Sequence, residues 1–262
     1  MNRLRFTSLG SGSEGNALLL EARVSGHPTA RVLVDCGLGI RDLTDRMAQR
    51  GLEPAAIDLI LVTHEHGDHS AGIARAAKAA RCPVISTHGT RLAMGEAFDG
   101  IEELALVHAG ATFEWMGLQV NLLTVPHDAR EPIAVRVAAG QMSMAVVTDL
   151  GHVPPHVVNS LRELDALFLE FNHDVDMLRQ GPYAPKLKAR VGGDYGHLSN
   201  EQASDLLQRV QSARLQRVVA AHLSQVNNHE DRVRGSVAKM DWGATCFEVA
   251  SQHAGMDWVV LE

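Results

Sequence analysis

Cysteine is scarce in this chain, with only Cys36, Cys82 and Cys246 among 262 residues. Three thiols without a pairing pattern do not make a disulfide framework, and they fit a reducing cytosol. Long apolar runs are missing too: none approaches the roughly 20 residues of a membrane span, and Met1–Ser8 carries no apolar signal core. Nor is there a basic surplus. The net charge is −7 and the pI is near 6.0, which excludes a protein coated in positive charge for nucleic acid. Bound divalent ions would offset part of that charge, and Lys186, Lys188 and Arg190 still form a local basic stretch. No low-complexity linker divides the chain. A soluble, cytoplasmic, single domain over residues 1–262 is therefore expected, with no membrane contact and no partner protein indicated.

What is present in abundance is histidine in one place. His64-Glu65-His66-Gly67-Asp68-His69 follows the apolar stretch Ile57–Val62 directly. If the strand continues, His64 and His66 project to one side, and Asp68 and His69 come round a turn that Gly67 eases. Closed structural zinc sites lean on thiolates, and no cysteine lies nearby in sequence; nitrogen and oxygen donors indicate an open, hydrolytic centre.

Short apolar runs recur at Leu4–Leu9, Ala17–Glu21, Arg31–Asp35, Ile57–Val62, Pro83–Ser86 and Leu118–Val125. They return at Ile133–Val137, Met144–Asp149, Ala166–Phe171, Val218–Leu223, Cys246–Val249 and Trp258–Leu261. Many are β-branched and bounded by Gly, Pro or Asp, as strands are. Ile40, Leu43 and Met47 mark one face of a helix that Gly51 stops, and Ser70–Ala80 reads as a second. Ser199 with Gln202 forms a capping box for a helix over Asn200–Arg214. The fold class is α/β, in two similar β-rich halves, with helices outside two packed sheets.

Further metal donors stand at the ends of expected strands: His127, Asp149 and His222. They complete two sites, His64, His66 and His127 for one ion and Asp68, His69 and His222 for a second, with Asp149 between them. Zinc, manganese and iron all suit this donor set.

These motifs in order, His64–His69, Pro126–Asp128, Thr148–Gly151 and Ala221–Ser224, resemble the metallo-β-lactamase fold superfamily. The resemblance implies an αββα four-layer sandwich and gives Asp35 the role of bracing the metal-bearing loops. By itself it leaves the substrate open. Ser8–Ala17, Leu169–Tyr183 and Gly193–Ala203 further resemble the YycJ/WalJ-like branch, which implies a 5′→3′ DNA exonuclease. Phe171 departs from the small polar residue common there, which puts a hydrogen bond from that position in doubt. The Gly/Ser-rich opening, with Ser11, Ser13 and Asn16, either offers backbone N–H groups to a phosphate or is a plain turn.

Hydrolysis of a phosphodiester needs a nucleophile, charge neutralisation and a protonated leaving group, and two close ions supply the first two. Asp68 would also orient the attacking water. Resemblance to tRNA-processing phosphodiesterases of this fold implies His197 as proton donor and Glu170 as its partner. The glycine before His197 is expected to leave room for substrate. His173 is expected behind the ligands or facing substrate. Lys186, Lys188 and Arg190 line one side of a DNA path or form a solvated face. The resulting expectation is a di-metal phosphodiesterase acting on DNA, with RNA as a second substrate. The alternatives are an enzyme for small or cyclic phosphate esters and a non-enzymatic metal-binding scaffold. Asp149 and His222 lie too close in sequence to enclose the inserted domain of the larger nucleases of this fold.

Overall fold

Most of the apolar runs become strands of two seven-stranded sheets. The computed structural model describes residues 2–262; Met1, the first residue of the stretch inspected for a signal core, lies outside them. The first sheet contains β1 (Arg3–Gly10), β2 (Ala17–Arg23), β3 (Ala30–Val34), β4 (Leu59–Leu61), β5 (Val84–Thr87), β6 (Leu104–Val107) and, at its far edge beside β1, β14 (Val259–Leu261). The second contains β7 (Thr112–Trp115), β8 (Leu118–Thr124), β9 (Ile133–Ala139), β10 (Met142–Val147), β11 (Ala166–Glu170), β12 (Arg217–Ala221) and β13 (Cys246–Val249), in that spatial order. In each sheet, antiparallel strands give way to parallel ones, at β3 in the first and at β10 in the second. The two halves therefore mirror each other.

Period-2 alternation builds the layers. Leu4 and Phe6 of β1 and Leu18 and Leu20 of β2 meet Leu118, Val120 and Leu122 of β8 and Val135 of β9 between the sheets. The opposite side of the first sheet, through Leu9, Leu19 and Leu33, packs under α1 (Ile40–Ala48) and α3 (Ile73–Ala80). The opposite side of the second, through Leu167, Leu169 and Val218, packs under α5 (Pro155–Ser160), α8 (Asn200–Val210) and α9 (Glu230–Val237). The result is the αββα order expected from the sequence. No helix among the described residues is long and apolar enough to cross a membrane.

Leu43 and Met47 are the buried face of α1. At α8, Ser199 Oγ accepts from Gln202 N at 3.2 Å, and Gln202 Oε1 accepts from Ser199 N at 2.9 Å, which completes the capping box. That helix stops at Val210, short of Arg214, because Gln211 takes extended backbone. The helix expected over Ser70–Ala80 is two: α2 (Gly67–Ser70) and α3, parted at Ala71 and Gly72. The break is a docking point. Gly72 N donates to Cys36 O at 2.7 Å, and a Cβ on Gly72 would lie 2.0 Å from Leu38 O. β6 and β7 carry no fully buried residue, although β6 is an apolar run, Leu104–Val107. Several strands are also shorter than their apolar runs. β4 ends at Leu61, β10 at Val147 and β12 at Ala221, so the chemistry-bearing residues beyond them stand in loops.

Gly72→Ala should destabilise the protein by about 1–3 kcal/mol, the usual range for forced overpacking. Gly235 lies on an exposed part of α9, where an added Cβ would meet nothing within 4 Å. Gly235→Ala should therefore stabilise by about 0.5–1 kcal/mol. Urea unfolding of both variants checks the opposite signs; shifts in one direction would contradict the docking role of Gly72.

Candidate metal centre

Loops leaving the carboxyl ends of β3, β4, β8, β10, β11 and β12 converge on one spot. Asp35 follows β3, His64 and His66 follow β4, and Asp68 and His69 lie on the short α2. His127 follows β8, Asp149 follows β10, Glu170 ends β11 and His222 follows β12. All seven expected ligands meet there. His64, His66 and His127 form one group, Asp68, His69 and His222 another, and His64, His69 and Asp149 a third between them, each with donor atoms within 4.8 Å. His64 and His66 share a side although neither is in a strand. His66 instead caps α2 with extended backbone. Gly67, expected to ease a turn, sits at the start of that helix without a left-handed φ.

In the first group His66 Nδ1 lies 3.1 Å from His64 Nε2 and 3.2 Å from His127 Nε2. In the second, Asp68 Oδ2 lies 3.4 Å from His69 Nε2 and 3.2 Å from His222 Nε2. The Asp149 carboxylate reaches both, with Oδ1 3.6 Å from His127 Nε2 and Oδ2 3.1 Å from His69 Nε2.

Outer hydrogen bonds decide which way each ring faces. His127 Nδ1 donates to Gly196 O at 2.9 Å and His222 Nδ1 to Thr148 O at 2.7 Å. A carbonyl oxygen has no proton, so in a neutral ring Nε2 is left with its lone pair. His69 Nδ1 donates to Asp35 Oδ2 at 2.8 Å. Thr63 Oγ1 donates to the same oxygen at 2.7 Å and so accepts from His64 Nδ1 at 3.0 Å. Four Nε2 lone pairs thus converge with two carboxylates. His66 alone faces inward by Nδ1, its Nε2 being 3.8 Å from Asp128 Oδ1.

Such a set of acceptors repels itself unless a cation lies among them. Asp149 Oδ2 is buried and accepts no hydrogen bond despite its 3.1 Å approach to His69. Without an ion, protons must answer the charge. Burial alone would lower the pKa of His69 and His222, yet the Asp149 carboxylate and its neighbours hold both well above the usual range. Burial holds His64 well below it. The atom spacing also fits a metal, since a tetrahedron with Zn–N bonds of about 2.0–2.1 Å has edges of about 3.4 Å.

Glu170 and His197 stand beside the second group. Glu170 is fully buried. Its Oε2 accepts from Leu150 N and Leu198 N, both at 3.0 Å, and Oε1 lies 2.6 Å from His197 Nδ1 and 3.3 Å from His222 Nδ1. His197 lines a cavity of about 360 Å³ with Ser13, His66, Asp68, Asp128, Asp149, Asn172, Arg190 and His222, among others. Gly196 leaves room for the protein rather than for substrate, because a Cβ there would meet Arg190 O and Val191 O at 2.2 Å.

The expected substrate-binding residues fare differently. In the opening loop most backbone amides already have partners within the protein. The amides of Ser11, Gly12, Glu14, Gly15 and Asn16 donate to Ser251 O, Asn16 Oδ1, Gln252 Oε1, Gly12 O and Asp68 O. Ser11 Oγ instead accepts from His222 N at 2.8 Å, and Asn16 Nδ2 lies 3.3 Å from Asp68 Oδ2, so both brace ligands. Ser13 reaches the cavity. His173 is buried with Nδ1 unpartnered and does not line the cavity. The basic stretch is not one row. It forms α7 (Pro185–Val191), where alternate residues fall on opposite sides. Lys186 is exposed, Lys188 Nζ donates to Arg179 O at 2.7 Å, and only Arg190 lines the cavity. Phe171 is core, edge-on to Phe247, so its departure from a polar residue removes no side-chain contact at the centre.

Thr63, Asp128 and Asn172 have no role assigned from the sequence, although Asp128 and Asn172 lie within its motifs. Thr63 binds Asp35 through both N–H and hydroxyl, and Asn172 Nδ2 donates to His222 O at 3.1 Å. Their adjacency to His64, His127 and Glu170 was the available signal.

Residues 30–223 match the Beta-lactamase superfamily domain, and the chain belongs to that family. It is 32% identical to the exodeoxyribonuclease WalJ of Streptococcus pneumoniae serotype 2, over 86% of this chain and 83% of that one. It is likewise 32% identical to the exodeoxyribonuclease YycJ of Bacillus anthracis, over 90% and 89%. Among solved structures, the metallo-β-lactamase fold protein YhfI of Bacillus subtilis superposes with a TM-score of 0.73 at 16% identity, covering 98% and 99% of the two chains. Fold and donor set together make this chain a metal-dependent hydrolase.

Asp35→Asn should weaken metal binding by about 10–100-fold, as loss of such an outer partner does, with the far-ultraviolet spectrum unchanged. Competition with a chelator measures it. Because His69 and His222 hold protons in the metal-free state, metal uptake should release protons and affinity should rise with pH. Calorimetry in two buffers of different ionisation enthalpy would show the release; identical heats would contradict it.

Proposed function

We propose that this member of the β-lactamase superfamily is a di-metal phosphodiesterase that hydrolyses DNA as a 5′→3′ exonuclease. The observation that carries phosphodiester chemistry is His197, turned into the cavity beside the two donor groups with its Nδ1 2.6 Å from Glu170 Oε1. An alkoxide leaving group needs a proton, whereas a site built only for lactams or thioesters has less use for this pair. DNA as substrate rests on the two exodeoxyribonucleases above. The polarity rests on the sequence resemblance.

His64, His66 and His127 would hold one ion, Asp68, His69 and His222 the other, and Asp149 both. Zinc, manganese or iron there would supply a water of lowered pKa and positive charge for the phosphate oxygens. Asp68, with Oδ2 among the donor atoms, would also orient the attacking water by accepting a hydrogen bond from it. His197 donates a proton from Nε2 to the departing oxygen. Glu170 keeps His197 ready. Burial would lower the His197 pKa, but the Glu170 charge and hydrogen bond raise it above the usual histidine range. With Leu150 N and Leu198 N on its other oxygen, Glu170 cannot swing away.

The cavity, about 360 Å³, also suits a single small or cyclic phosphate ester, which is the second reading. Incubation with 5′-labelled single-stranded DNA, duplex DNA and RNA under zinc and manganese separates the two. Nucleotide release from the DNA 5′ end is expected; cleavage of small diesters alone would favour the second.

Reconstituted protein should contain two ions per chain by elemental analysis, and saturation at one would contradict the di-metal assignment. His197→Ala should slow DNA hydrolysis by roughly 10²–10⁴-fold. Cleavage of bis(4-nitrophenyl) phosphate, whose leaving group scarcely needs a proton, should fall far less. Equal losses would make His197 a structural residue.

A further inference from the structure

Among the described residues Arg190 is the only lysine or arginine lining the cavity, whose other titratable groups are Asp68, Asp128, Asp149, His66, His197 and His222. Its Nε donates to Asp128 Oδ2 in a short contact. Asp128 Oδ1 lies 3.5 Å from His127 Nε2 and 3.8 Å from His66 Nε2. The guanidinium thus sits one side chain away from the first donor group, on the rim rather than the floor. Its side chain is 58% exposed, and among the described residues its two Nη groups make no hydrogen bond. Two pairs of N–H donors are therefore free in the cavity mouth. A guanidinium presents its donors in a planar fork that matches two oxygens of a phosphate.

The floor, where the donor groups converge, is the place for the bond being cut. The whole cavity, the donor corner included, is about 360 Å³, which suits one nucleotide rather than a length of strand. The second phosphate of that nucleotide then falls at the rim. We infer that Arg190 binds the 5′-terminal phosphate of the substrate, with Asp128 holding the guanidinium in place. This rests on the DNA exonuclease assignment above and names the group by which that enzyme would recognise an end.

The test uses the metal-loaded protein with one short single-stranded DNA, prepared with a 5′-phosphate and with a 5′-hydroxyl, and with bis(4-nitrophenyl) phosphate. The wild type should prefer the 5′-phosphate. Arg190→Gln should raise KM on that substrate by about 10–100-fold, the worth of a charge-assisted hydrogen bond or two, with a much smaller change in kcat. Its losses on the 5′-hydroxyl substrate and on the small diester should be at least about tenfold smaller. Arg190→Lys, which keeps the charge and loses the fork, should fall between. A wild type indifferent to the 5′ group, or an Arg190→Gln loss equal on all three substrates, overturns the inference and leaves the nuclease assignment standing. A wild type that cuts the small diester and neither DNA withdraws the nuclease assignment, and this inference with it.

Discussion

The outward hydrogen bonds of four of the five imidazoles, His64, His69, His127 and His222, are the constraint on which the centre depends. A histidine can present a lone pair inward only if its other nitrogen carries the proton, and a fixed acceptor must keep it there. Asp35 does this for two rings at once, directly for His69 and through the Thr63 hydroxyl for His64. Backbone carbonyls of Gly196 and Thr148 do it for His127 and His222. Asp35 and His222 both adopt a left-handed backbone, φ +60° and +53°, which costs a non-glycine residue about 1–3 kcal/mol. Each is held by bonds on several sides. Asp35 N donates to Leu61 O, and its carboxylate takes Thr63 and His69. His222 is fixed through Ser11 Oγ and Asn172 Nδ2. The strain lies where the chain must leave a strand and turn its side chain across the gap between the sheets.

Glu170 joins the cluster of metal donors to His197, the proton donor of the proposed reaction. Fully buried at the end of β11, it is held by two amides from different loops and faces His197 and His222 with one oxygen. A buried carboxylate is tolerated only when it is so partnered. Here the partnering has a consequence: one fixed carboxylate oxygen is the common reference point for His197 and His222. The donor and the second ligand group are set against the same carboxylate, so their relative placement does not depend on a flexible side chain.

Of the fold, the alternating core strands and the two capped or stopped helices were legible, because a buried face imposes its period on the sequence. Strand ends were not. The apolar runs continue one or two residues past the strand ends, to Val62, Val125 and Leu223. β6 and β7 were not among the expected strands; half the residues of each are exposed, although β6 is apolar throughout. Alternation also misled at Lys186, Lys188 and Arg190. Read as an extended row they would share a side, but Pro185 opens a helix there, and a helix turns alternate residues apart.

The sequence by itself determined the donor set. His64, His66, Asp68, His69, His127, Asp149 and His222 are marked by chemistry and by their positions at strand ends, both of which are local properties. Tertiary structure decided what those donors could do. It gave Ser11 and Asn16 to bracing, where the sequence left a phosphate-facing loop and a plain turn both open, by pairing the opening loop with Ser251, Gln252 and Asp68. It also chose Arg190 over its two basic neighbours as the one that enters the cavity. Hydrogen bonds between residues far apart in the chain have no signature in spacing or composition. The direction of a ring, the partner of a carboxylate and the side of a helix that meets a cavity exist only once the two sheets have closed on each other.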